Sequence, residues 1–416
     1  MEREVVAAAE REFVQNGAIM AVESLDGREL QWFFRNINDG VEHLSPSPRI
    51  FVTQIGLEPV LRERAAALGG RLRYSAELVS LSTDDDGVTA RVRDRRSGEE
   101  STVRARYAVA ADGVRSPLRH RLGIGMRGHG TFSDSVTIYF RGDVRPLLGD
   151  RNLSVVYVVN PRLQGFFRFA IDGRSGFLVV NTAVDDDGRR TTVGGTATEA
   201  DCVRYVRDAL GAPDLAVEID DVQRWNASAE WAERFAAGRV LLAVTRLDPG
   251  LGTDGLMPMV DDALIDLGHR YRSAAITPDG SDDGDWEDPR EPTGRPGFRL
   301  PHVPVRRAGT ELSTLDLVST APVLFTGSGG AAWARAGETA AARLGVPLDV
   351  YGVGPGGDVE DPDRAFASAG GIGAEGAMLV RPDGFVAWRA AEAVVDPVGV
   401  LYAALARSLV RRHSSG

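Results

Sequence analysis

The chain has 416 residues, 43% of them hydrophobic and 26% charged, with 48 Lys+Arg against 59 Asp+Glu and a formal net charge of −11. That length can bury two or three cores, and the acidic balance excludes a surface built for nucleic acid or for an anionic membrane. The single cysteine, Cys202, excludes an internal disulfide and a Cys-based metal site, and its expected role is that of a small buried apolar side chain. The six histidines are scattered without metal-ligand spacing, so no metal is expected. No apolar run approaches the roughly 20 residues of a membrane span. The opening Met-Glu-Arg-Glu lacks a signal-peptide pattern, and a cytoplasmic location is the expectation.

In chain order, residues 2–16 read as a helix, with Gly17 as its C-cap. Residues 18–34 read as two strands around Asp26-Gly27. A second helix, 56–68, carries Leu57, Val60, Leu61, Ala65 and Leu68 on one face and ends at Gly69-Gly70. Short strands near 72–75, 77–82, 88–93 and 102–110 form a meander. The last of them leads into Tyr107-Ala-Val-Ala-Ala-Asp-Gly-Val-Arg-Ser-Pro-Leu-Arg119. This stretch reads as a buried strand, a tight Asp112-Gly113 turn, and a helix with Ser116 as N-cap and Pro117 at its first position. A strand, turn and helix start of this kind offers backbone N–H groups to an anionic ligand.

Residues 132–183 are strand-rich, through 136–140, 153–159, 165–170 and 176–181, with β-branched and aromatic residues bounded by Gly, Asp, Asn and Pro. They predict an antiparallel sheet. Alternate residues of a strand face opposite sides. One face of the set Tyr139, Phe140, Tyr157, Phe166, Phe167 and Phe169, with Trp225 at the sheet's end, either lines a flat apolar pocket or forms core. A helix follows at 198–210, then a strand at 221–225, a helical turn at 232–235 and a strand at 238–243. Asp185-Asp-Asp-Gly188 reads as an exposed hairpin turn. Residues 277–297 are rich in Asp, Gly and Pro and read as an exposed linker. A strand at 321–326, a helix at 331–344, a strand at 348–353, a hairpin at 377–388 and a helix at about 397–411 complete the chain.

The Ala-Asp-Gly segment with Arg115, Ser116 and Arg119 resembles a segment of the FAD-dependent aromatic hydroxylases (the p-hydroxybenzoate-hydroxylase-like family). The same holds for Gln54, Glu58 and Leu61 in Thr-Gln-Ile-Gly-Leu-Glu-Pro-Val-Leu. The likeness is closest to the three-domain hydroxylases of polycyclic aromatic polyketides, whose thioredoxin-like C-terminal domain is matched by Leu379-Val-Arg-Pro-Asp-Gly-Phe-Val-Ala-Trp-Arg389. The resemblance implies a mixed α/β (α+β) chain. A truncated FAD-binding domain would cover 1–131, a substrate-binding antiparallel sheet 132–230, and a shortened return to the FAD domain 231–276. A linker at 277–298 and a thioredoxin-like domain at 299–416 would follow. It implies NAD(P)H-driven hydroxylation of an aromatic polyketide-like molecule on FAD, and it allows a homodimer. Gln54, Asp112, Gly113 and Arg115 would then touch the cofactor, and Tyr139, Tyr157, Phe167 and Trp225 the substrate. No side chain stands out as catalytic, which suits chemistry carried by a flavin.

The sequence departs from the family at two places. The strand–GxGxxG–helix unit that normally holds the FAD pyrophosphate is not found. Gly123-Ile-Gly-Met-Arg-Gly128 has the spacing, but neither follows a strand nor opens a helix. Where the family continues from the strand at 238–243 into a Gly-Asp FAD motif, this chain has Val244-Thr-Arg-Leu-Asp-Pro-Gly-Leu-Gly-Thr-Asp-Gly255. These departures predict weak or absent FAD binding, and they leave a second reading: a non-catalytic relative acting as a substrate-binding or dimerisation module. Gly327-Ser-Gly-Gly330 stands where a working thioredoxin carries Cys-x-x-Cys, so thiol redox chemistry is excluded there.

Overall fold

The computed structural model describes residues 1–113, 115–184, 190–191, 193, 197–243, 262–280 and 284–409. Asp185–Gly188 and Val244–Gly255 lie outside these. The chain forms two compact units, one of residues 1–39 and 49–255, the other of 40–48 and 256–416. Among the described residues no helix is long and apolar enough to cross a membrane.

The first unit opens with helix α1 (Glu2–Glu12), strands β1 (Ala18–Val22) and β2 (Glu29–Phe34), and helix α2 (Gln54–Ala67). A meander of β3 (Ala76–Thr83), β4 (Val88–Asp94) and β5 (Glu100–Ala105) leads to β6 (Ala108–Ala110) and helix α3 (Pro117–Arg121). Then come β7 (Met126–Arg141), α4 (Arg145–Leu148), β8 (Leu153–Val159), β9 (Leu163–Phe169), β10 (Ser175–Val184) and β11 (Arg190–Thr191). Helix α5 (Glu199–Leu210), β12 (Glu218–Ala232), β13 (Ala236–Ala237) and β14 (Val240–Leu242) close the unit.

The dominant layer is an eight-stranded sheet in the order β12-β7-β10-β9-β8-β1-β2, with β11 beside β10. Most neighbours are antiparallel, while β1 and β8 run parallel. One face carries Val136, Ile138, Phe140, Val156, Phe167 and Leu178, which are buried with Cys202, Tyr205, Val206, Ala209 and Leu210 of α5. Helix α5 starts on a Thr198–Asp201 capping box and stops at Gly211 in the left-handed conformation, φ 72. Cys202 is fully buried in this core, and burial pushes its thiol above the usual range.

Several expectations need correction. Helix α1 ends at Glu12, not near Gly17: Phe13 is already extended (φ −134, ψ 152), and the Gln15 amide donates to the carbonyls of Ala9 and Phe13. Residues 72–75 form no strand, because Ser75 takes a left-handed turn at φ 54. Helix α2 buries none of its residues: Ile55 is 74% exposed and Leu68 70%. The helical turn expected at 232–235 is absent, since β12 stays paired with β7 as far as Ala232↔Met126. Strand β6 is buried on one side alone: Ala110 is in the core, whereas Tyr107 and Val109 are exposed.

The second unit contains α6 (Asp262–Leu267), the hairpin β15 (Pro304–Arg307) and β16 (Thr310–Ser313), β17 (Val323–Thr326), α7 (Ala331–Leu344), β18 (Asp349–Gly352), α8 (Ala365–Gly370), β19 (Ala377–Val380), β20 (Val386–Ala390) and α9 (Pro397–Ser408). Its four-stranded sheet has the order β18-β17-β19-β20, with β17–β18 parallel and the other pairs antiparallel. Both faces are covered, so the central strands are continuously apolar. Leu324 and Leu379 point to α7 and α9, while Val323, Phe325, Met378 and Val380 join a second cluster with Leu300 and Val303. Gly337 lets α7 approach closely, since a Cβ there would stand 2.7 Å from a Leu324 methyl group. The stretch read as a linker is held within this unit. Arg389 donates to the Asp279 carboxylate (3.0 Å) and to the Thr293 carbonyl (2.6 Å), and Pro296, Gly297 and Phe298 are buried.

The alternation across the large sheet makes a direct prediction. Phe167→Ala, in the core, costs about 3–5 kcal/mol in denaturant unfolding. Tyr157→Ala, on the opposite face and 42% exposed, costs under about 1 kcal/mol. Equal losses would contradict the assignment of faces.

Candidate active site

The face of the sheet turned away from α5 is aromatic. Tyr157, Phe166, Phe177 and Tyr139 lie on neighbouring strands β8, β9, β10 and β7, and their rings touch in sequence. Centroids are 5.9 Å apart for Tyr157–Phe166, 6.4 Å for Phe166–Phe177 and 5.7 Å for Tyr139–Phe177. Phe33 of β2 extends the row, 5.8 Å from Tyr157 and edge-on. At the other end Trp225 of β12 donates its indole N–H to Thr137 Oγ1 at 2.9 Å and stays 40% exposed. Edge-to-face and tilted contacts of this kind hold the rings in fixed orientations.

Of the four residues expected at a substrate surface, Tyr139, Tyr157 and Trp225 share this face. Phe167 does not. It is fully buried on the α5 side, stacked on Phe169 with centroids 5.1 Å apart, because its register partners Val156 and Leu178 fix it among core positions. The residues missed were Phe33, Phe177 and Arg168. Parity within β9 would have placed Arg168 beside Phe166, and the register of β10 pairs it with Phe177.

Arg168 ties this face to the start of α2. Its guanidinium lies between the rings of Phe13 (4.2 Å) and Phe51 (3.9 Å). Burial lowers its pKa to about 10 against the opposing charge of Glu12, and its Nη2 is buried without a hydrogen-bond partner among the described residues. Phe51 is fixed in turn by Gln15, which accepts from its N–H (2.9 Å) and donates to its carbonyl (3.0 Å). Two residues on, the Thr53 N–H and hydroxyl both donate to Glu12 at 2.7 Å, and the same hydroxyl caps α2 by accepting from Gly56 N–H. A Cβ at Gly56 would lie 2.4 Å from Glu12 Oε1, so a larger residue there would displace the Glu12 carboxylate. Gln54, the first residue of α2, is thus carried on a rigid mount, and its amide donates to Glu58 at 2.6 Å.

The Asp-Gly turn follows β6, which pairs in parallel with β14. Asp112 folds back onto α3. Its carboxylate accepts from the Ser116 hydroxyl (2.5 Å) and from the Leu118 N–H (3.0 Å), while Ser116 Oγ accepts from the Arg119 N–H (3.0 Å). Burial pushes the Asp112 carboxyl up, but these hydrogen bonds and the nearby Arg119 charge outweigh it and leave the group below the ordinary carboxylate range. Gly113 takes φ 83 with open space where a Cβ would stand, so the backbone of the turn is uncovered. Arg115 is exposed beside it. The Gly123–Gly128 stretch runs from the end of α3 into β7 and forms no phosphate turn.

A depressed carboxyl stabilises the fold above its unfolded pKa, about 3.9, and loses that contribution as pH falls through the folded value. Asp112→Ala is therefore expected to lower stability at neutral pH by about 0.5–1 kcal/mol, as for a lost helix cap. The gap between variant and parent should close on acidification below pH ~4. Hydrogen exchange at the Leu118 amide reads the local effect, and a gap independent of pH would contradict it.

Comparison with known proteins fits this geometry. Residues 3–243 match the family model for an FAD binding domain, and residues 293–411 match that for the aromatic-ring hydroxylase C-terminal domain. The chain is 40% identical to a 4-methyl-5-nitrocatechol 5-monooxygenase from Burkholderia sp, over 98% of this chain and 87% of that protein. It is 33% identical to the tetracenomycin A2 monooxygenase-dioxygenase of Streptomyces glaucescens, over 89% and 78% of the two chains. Among solved structures it superposes on aklavinone-11 hydroxylase in complex with FAD and aklavinone, with a TM-score of 0.85, 32% identity, and coverage of 98% of this chain and 88% of that one. These likenesses favour the enzyme reading over the non-catalytic one: the chain belongs to the FAD-dependent aromatic-ring hydroxylases, a family of flavoprotein monooxygenases.

Proposed function

We propose that this chain hydroxylates a flat, fused-ring aromatic molecule of polyketide type, using FAD and a reduced nicotinamide cofactor, NADH or NADPH. The observation that carries the reading is the unbroken aromatic row Tyr157–Phe166–Phe177–Tyr139 on the open face of the sheet. It crosses three strand spacings, roughly 14 Å at about 4.8 Å per strand, which suits several fused rings better than one. Phe33 and Trp225 bound the row.

The described residues fit one flank of FAD. The uncovered turn at Gly113, the exposed Arg115 beside it and Gln54 at the start of α2 are the groups that would hold it, with Asp112 fixing the turn's shape. They offer no glycine-rich phosphate turn, so these contacts by themselves hold FAD loosely. Bound FAD supplies the activated oxygen in this family. The protein's share is to bind the aromatic plane against the sheet, to fix its orientation by edge-on contacts, and to exclude water from one side. The second unit, with its β18-β17-β19-β20 order and the helices α7 and α9 on one face, supports a thioredoxin-like domain without thiol chemistry. A cytoplasmic homodimer completes the reading.

Calorimetric titration with a fused tetracyclic phenol and with a single-ring phenol tests it. The tetracycle is expected to bind at least tenfold more tightly, and Phe166→Ala or Phe177→Ala to lose roughly fivefold each, in line with about 1 kcal/mol per aromatic contact. Oxygen uptake with NADH or NADPH, after loading with FAD, should follow the same order. Unchanged affinity in both variants would sink the assignment of this face.

A further inference from the structure

A second, smaller site lies wholly within the second unit. A cavity of about 20 Å³ is lined by His43, Leu44, Leu267, Glu287, Arg299 and His302, together with three prolines. That is room for one particle of about the size of water. Its polar lining is the Arg299 guanidinium, the His43 and His302 rings and the Glu287 carboxyl. The Arg299 guanidinium donates from Nη1 to the Leu44 carbonyl at 2.9 Å. Among the described residues no carboxylate lies within ion-pair distance of it. Burial lowers the pKa of Arg299, and no acidic neighbour counters that effect. His302 hydrogen-bonds through Nδ1 to Ser313 Oγ at 2.7 Å. Burial, Arg299 and His43 all push its pKa down, and only Asp316 acts the other way.

The one carboxylate in the wall is already engaged. Glu287 accepts from the Thr293 hydroxyl at 2.5 Å and pairs with Arg295 at 3.7 Å, with its side chain 7% exposed. It therefore does not neutralise Arg299. Arg299 is half-buried with no carboxylate paired to it among the described residues, and a neutral water molecule supplies an acceptor but no charge. We propose that this cavity binds a small monovalent anion of the size of chloride, held by the Arg299 guanidinium and the His302 ring.

Thermal unfolding of the full chain at constant ionic strength tests this, with sodium gluconate exchanged stepwise for sodium chloride or sodium bromide. Gluconate is too large for the cavity. The expected result is a saturable rise of a few degrees in Tm with either halide, because a ligand of the native state alone stabilises it by mass action. Arg299→Gln should abolish the rise. His302→Gln should weaken it and provides the test if the first variant does not fold. Crystals soaked in bromide should show anomalous scattering between Arg299 and His302. Equal Tm in gluconate and halide, a halide effect that survives in both variants, or water alone at the site would overturn the proposal.

Discussion

The substrate-facing part of the first unit depends on the two-fold alternation of side chains across one large sheet. Val156, Phe167, Leu178 and Ile138 form a row of paired positions, and that row is the core against α5. The intervening positions are displaced to the other side by the pleat. A slip of one residue in β8 would bury Tyr157, and one in β9 would expose Phe167. Packing of Tyr205, Val206 and Leu210 from α5 therefore fixes the register. By fixing the register it also fixes the aromatic face, so stability and substrate recognition share one constraint.

That face is also where the backbone before α2 is anchored. Arg168 reaches from β9 between Phe13 and Phe51, and the Gln15 and Glu12 side chains hold the segment that ends in the Thr53 cap. The start of α2 is therefore positioned by polar contacts and ring stacking, because α2 itself buries nothing. The Asp112 turn is built in the same way, from hydrogen bonds local to α3. Both candidate cofactor contacts are thus mounted on short-range polar networks, whereas the substrate face is mounted on core packing.

Much of this was legible in the sequence, for identifiable reasons. The strands at 153–159 and 176–181, helix α5 and the Ser116-Pro117 helix start carry strong local signals, and the structure has them. The aromatic set was visible, but the choice between Phe166 and Phe167 was not, because it depends on cross-strand register rather than on local composition. Phe33 and Arg168 were missed because their partners, Tyr157 and Phe51, are over 100 residues away in sequence. The end of α1 and the packed stretch at 284–297 escaped for a related reason: side-chain bonds from Gln15 and Arg389 override local propensity.

The central claim is that one face of the sheet receives the aromatic substrate and the other does not. Fluorine NMR on protein labelled with fluorotyrosine tests it most directly. Tyr139 and Tyr157 report on the open face, and Tyr205 on the core side. Adding a fused-ring hydroxyaromatic should shift the Tyr139 and Tyr157 resonances and leave Tyr205 in place. A shift of Tyr205 with Tyr139 and Tyr157 unmoved would contradict the account.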